Sequence, residues 1–119
     1  MKKYTKVIPL YFGRLQIIVA EDLKEAWSIY GRELDDEMKS FDAVTDTFVR
    51  RSLLHVQIFL KPDAKGKIIA HEAAHAVNMI FEYVGVQLST SNDEPFCYML
   101  GWVVEQVEES LNKYNGSSR

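Results

Sequence analysis

Apolar and polar positions change their period several times along the chain, and each change marks an element. Over residues 14–20, Leu15, Ile17 and Val19 alternate with Arg14, Gln16 and Ile18, the period of a strand. Residues 6–10 add a short strand before it, with Pro9 suited to a sheet edge. Glu21-Asp22 then opens a helical pattern in which Leu23, Ala26, Trp27 and Tyr30 share a face, and Gly31 supplies a stop. Residues 32–42 are polar and acidic and read as a loop. Residues 43–50 are rich in β-branched side chains, and 55–60 alternate Val56, Ile58 and Leu60 with His55, Gln57 and Phe59. The short Arg51-Ser52-Leu53 link between these two runs predicts an antiparallel hairpin.

A long helix follows over 64–84, with Ile69, Ala73, Val77, Ile80 and Val84 as its core stripe and Gly85 as its stop. A loop at 86–91 leads to a last helix over 93–111, where Leu100, Val103, Val104, Val107 and Leu111 are apolar. Gly101 in that helix suits close approach to a neighbouring helix. The expected order is β-α-β-β-α-α. This is the α+β class: a small, mostly antiparallel sheet of three or four strands with three helices packed on it.

Composition narrows the picture. The 119 residues fit one domain, read as 1–111, with 112–119 as a frayed tail. A chain of this size, 47% hydrophobic, buries a sufficient core without a disulfide or structural metal. A net charge of −3 argues against a nucleic-acid partner. The single cysteine, Cys97, excludes an intrachain disulfide and Cys-rich zinc sites. Its apolar neighbourhood reads as a buried position, and Trp27 and Trp102 read as core anchors. The basic start of the chain precedes no apolar run of signal-peptide or membrane-spanning length, so the expectation is a cytoplasmic protein with no membrane partner.

Candidate chemistry lies in the long helix. His71-Glu72-Ala73-Ala74-His75 fits the pattern HExxH. Residues i and i+4 share a helical face, so both imidazoles can converge on one ion, and neutral imidazole suits zinc. Glu72 is offset by one position, where a carboxylate can take a proton from water that the ion has acidified. The metzincin extension fails, because Asn78 and Phe81 occupy its glycine and histidine positions. His55 falls on a strand, and Glu82 lies two turns beyond His75, about 10 Å along the helix. The remaining candidates for a third ligand are Glu94 and Asp93, which also read, with Ser91 and Asn92, as a capping box for the last helix.

His71-Glu72-Ala73-Ala74-His75, followed by Asn92-Asp93-Glu94-Pro95-Phe96 in the next helix, resembles the gluzincin branch of the zincin metallopeptidases. The chain as a whole is similar to the compact, stand-alone minigluzincin-type domains, many of them carried by phages and mobile elements. The resemblance spans roughly residues 6–111. It implies His71, His75 and Glu94 as zinc ligands and Glu72 as general base for hydrolysis of a peptide or protein substrate. It also implies that an edge strand beside the motif helix, at 55–60 or 43–50, pairs with extended peptide. Larger gluzincins place an aspartate shortly after the ligand glutamate; the position four on from Glu94 is Tyr98 here. Tyr83, Tyr98 and His55 are candidate oxyanion donors by chemistry. The alternative is a catalytically inactive zincin-like module that binds metal or a protein partner.

Overall fold

The computed structural model describes residues 1–31 and 42–116. The acidic loop read at 32–42 therefore lies outside the described residues except for Asp42. The described residues form β1 (Lys2–Val7), β2 (Arg14–Val19), α1 (Leu23–Tyr30), β3 (Ala43–Arg50), β4 (Leu53–Leu60), α2 (Gly66–Val84) and α3 (Glu94–Tyr114). The class is α+β, with one more strand at the start than the expected order. β1 lies earlier than the strand read at 6–10, because Pro9, which cannot donate to a ladder, falls in the loop instead. That loop is closed by Ile8 N–H donating to the Gly13 carbonyl at 2.8 Å.

The strands form one sheet in the order β1-β2-β4-β3. β1–β2 and β3–β4 are antiparallel, and β2–β4 is parallel. β1 and β3 are the two edges. Lysines at positions 2, 3 and 6 suit β1 to an exposed edge. β2 and β4 are central, and their sequences show it. Ile18 and Phe59, which break the apolar–polar alternation, are fully buried beneath α1 with Leu23, Ala26 and Trp27. Asp22 caps α1 by accepting from Glu25 N–H at 3.1 Å.

The opposite face of the sheet carries Leu15, Ile17, Val19, Val56, Ile58 and Leu60. α2 packs Ile69, Ala73, Val77 and Ile80 against it, and α3 adds Met99, Val103, Val107 and Leu111. α2 ends at Gly85, whose φ of 80° permits a left-handed cap. The residues of α3 differ from the expected pattern in three places. The helix continues through Tyr114, past Leu111, because Tyr114 still packs on the core and Asn115 Nδ2 donates to the Pro62 carbonyl at 3.0 Å. Gly101 faces open space, so it serves no close helix contact. Cys97 is exposed, because a step of two from the buried Met99 turns it to the outer side of the helix.

Candidate metal centre

The motif sits in the first half of α2, on the arc between its core stripe and its outer surface. Ala73, one residue from Glu72, is fully buried, which seats this turn of the helix against the sheet. The i, i+4 spacing brings His71 and His75 edge to face, with ring centroids 4.7 Å apart and planes at 78°. Their Nε2 atoms are 3.1 Å apart. Two nitrogens each about 2.0–2.1 Å from a tetrahedral ion are separated by about 3.3 Å, so this spacing matches a shared ion. When one ring carries its proton on Nε2, the same geometry is a hydrogen bond between the two.

Glu72 behaves differently from its neighbours. Its side chain is 9% exposed, whereas that of His71 is 67% exposed. Thr45, on β3, donates its hydroxyl to Glu72 Oε1 at 2.7 Å. The other oxygen, Oε2, lies 3.9 Å from His71 Nε2. The motif thus puts two imidazoles outward and one carboxylate between them and the edge of the sheet. Two imidazoles are two of the three protein ligands that an open zinc site uses, and a carboxylate beside them is chemically suited to take a proton from an ion-bound water.

Glu94 opens α3 and is exposed. The expected capping box is not formed, since Asp93 takes the N-cap position without a side-chain hydrogen bond. Among the described residues the Glu94 carboxylate makes no hydrogen bond or ion pair. The structure does not draw it to the histidines: among the described residues, no group of three or more His, Cys, Asp and Glu side chains is disposed to hold an ion.

Of the other candidates, His55 stands on the far face of the sheet and the two tyrosines lie on the surface. His55 pairs with Phe48 and Arg14 on the α1 side of the sheet, so the sheet itself divides it from Glu72. Tyr83 and Tyr98 are exposed, at 49% and 77%. Of the two strands considered for peptide pairing, β4 is flanked by β2 and β3 and has no free edge, which leaves β3. Sequence reasoning missed Thr45; a threonine in a β-branched run carries no mark of its partner. It also missed a buried polar cluster on the other face, where Gln57 Nε2 donates to Gln16 Oε1 at 2.9 Å and to the Tyr30 carbonyl at 3.0 Å.

Comparison of the chain with models of known families, with curated protein sequences and with solved structures finds no match. Among the described residues, no helix is long and apolar enough to cross a membrane.

Proposed function

We propose that the protein is a zinc-dependent peptidase. The observation that carries this reading is the pair of imidazole Nε2 atoms 3.1 Å apart with the Glu72 carboxylate turned inward beside them. His71 and His75 would hold the ion, and Glu94, uncommitted at the start of α3, would complete the set. Bound zinc supplies an acidified water and polarises a carbonyl. The chain supplies the rest. Glu72 takes a proton from the attacking water and passes it to the leaving amine. β3, an edge strand joined to α2 through Thr45 and Glu72, offers main-chain hydrogen bonds to an extended peptide. The exposed lone thiol of Cys97 fits a reducing, cytoplasmic setting.

A second reading, a metal- or partner-binding module without catalysis, is favoured by one observation: the described residues assemble no third ligand beside the histidines. One experiment separates the two. Wild type and Glu72→Gln are loaded with zinc, their metal content is measured, and both are incubated with a mixed peptide library. The peptidase reading expects equal metal in both and cleavage by wild type alone. Equal cleavage by the two proteins refutes it, and no cleavage by either favours the binding module.

A further inference from the structure

We propose that Thr45 is a positioning residue for Glu72: its hydroxyl pins one carboxylate oxygen and leaves the other turned to the histidine pair. The inference rests on Glu72 being the proton acceptor described above. Thr45 Oγ1 lies 2.7 Å from Glu72 Oε1 and 3.3 Å from the Glu72 carbonyl oxygen. A hydroxyl has one proton to give, and the shorter, charge-assisted contact takes it. Oε1 is therefore occupied. Oε2 is the oxygen on the histidine side, 3.9 Å from His71 Nε2. A glutamate has three side-chain torsions, and on an open helix face each is free to turn. Here burial and the single hydrogen bond select one arrangement, and with it which oxygen meets a water.

The donor is itself held firmly. Strand register sets Thr45 opposite Ile58, whose side chain is fully buried on the α2 face of the sheet, so Thr45 stands on that face too. A β-branched side chain on a strand has restricted χ1, so its hydroxyl is aimed by the backbone. β3 thus does more than bound the sheet; it fixes the orientation of the carboxylate from outside the motif helix. The motif's five residues do not supply this contact, because Thr45 lies 27 positions before Glu72.

The test uses the full chain with Thr45→Val, which keeps the shape and removes the donor, Thr45→Ser, which keeps the donor, and Glu72→Gln as reference. Zinc affinity is measured by competition with a chromophoric chelator, and kcat and KM on a peptide that wild type cleaves. Melting temperatures of the metal-free Thr45→Val, Glu72→Ala and double variants complete the set. Expected are zinc affinity and KM within about twofold of wild type for Thr45→Val, and a kcat lower by about ten- to hundredfold, the range for a lost hydrogen bond to a charged group. Thr45→Ser should recover most of that loss. In the metal-free protein, Thr45→Val should lower the melting temperature less when Glu72 is already Ala. If Thr45→Val keeps full kcat while Glu72→Gln is inactive, the positioning role is wrong and the peptidase reading stands. If Thr45→Ser loses as much as Thr45→Val, the hydroxyl is not the agent and the proposal also fails. If Glu72→Gln cleaves like wild type, the peptidase reading falls and takes this role with it.

Discussion

The ring of Phe48 lies flat over that of His55, with centroids 4.8 Å apart and planes 3° from parallel. The β3–β4 register puts the two residues opposite each other, on the sheet face away from the motif helix. Burial, then the charges of Arg50, Arg14 and Lys3 from three different strands, hold the His55 imidazole below its ordinary pKa. The Nε2 amide of Gln16, 3.4 Å from His55 Nδ1, adds a donor that suits an unprotonated ring nitrogen. Well above its ordinary pKa of about 6.5 the ring is neutral in both folded and unfolded chains and contributes nothing to pH dependence. As pH falls through that value toward the lower folded pKa, the unfolded chain takes up a proton that the folded chain refuses, and stability falls. His55→Gln should therefore flatten the loss of stability between about pH 7 and pH 5 in urea titrations. An equally steep loss in the variant contradicts this account.

A second expectation follows from the proposed zinc ligands. Truncating either imidazole leaves one nitrogen where two converge, so His71→Ala and His75→Ala should each weaken zinc binding by at least about a hundredfold. Glu94→Gln should weaken it by about tenfold or more, and Asp93→Asn should leave it near wild type. Competition titrations with a chromophoric chelator read all four. Loss in Asp93→Asn with no change in Glu94→Gln would move the third ligand one residue back.

Metal removal should leave the fold intact. His71 and His75 are both on the exposed side of α2, and the core beneath it is closed by Ile58, Val77 and Val103 without them. Far-ultraviolet circular dichroism in excess chelator should match that of the untreated protein. Bound zinc should only raise the melting temperature, as any ligand of the folded state does. Unfolding on chelation would point to a structural ion instead.

How much of this was legible in the sequence depends on whether the signal is local. The β3–β4 hairpin, the stripe Ile69-Ala73-Val77-Ile80 and the stops at Gly31 and Gly85 are written in short-range periodicity, and the structure repeats them. The His71–Glu72–His75 cluster was legible too, because a helix converts spacing into a shared face. The misses are non-local. β1 is a lysine-rich edge whose alternation is weak, and only its pairing with β2 makes it a strand. Ile18 and Phe59 sit on the second face of the alternation, and only α1 packing over that face explains why they are apolar. Thr45 meets Glu72 only because strand register and helix packing coincide, and Cys97 is exposed because its apolar neighbours lie on the other side of α3.

The hairpin turn is open to improvement. Arg51 and Ser52, the two residues between β3 and β4, have φ of 54° and 64°. Positive φ at both central positions is what a type I′ turn requires, and the right-handed twist of the strands favours that turn. Neither residue adopts it without cost, which is about 1–2 kcal/mol for a side chain with an ordinary Cβ. Replacing Arg51-Ser52 with Asn-Gly should raise unfolding free energy by about 1 kcal/mol in urea denaturation, with the m-value unchanged. A lower stability in that variant would mean the arginine or serine side chain makes a contribution the turn geometry does not explain.

Gly31 is constrained by its neighbour and not by its backbone. Its φ of −85° and ψ of 178° are extended values that any residue adopts. A Cβ there, however, would lie 2.3 Å from Trp27 Cδ2. The indole cannot retreat freely, because it packs against Phe59 at 4.9 Å between centroids and is itself 8% exposed. Gly31→Ala should therefore destabilise the protein by about 1–3 kcal/mol, the range for overpacking, although alanine is otherwise no worse than glycine in extended backbone. The cause can be isolated with Trp27→Leu, which removes the ring that the new methyl would strike. In that background Gly31→Ala should cost much less, so the two substitutions should be non-additive by about 1 kcal/mol or more in a double-mutant cycle. Additive costs would place the penalty in the backbone after all.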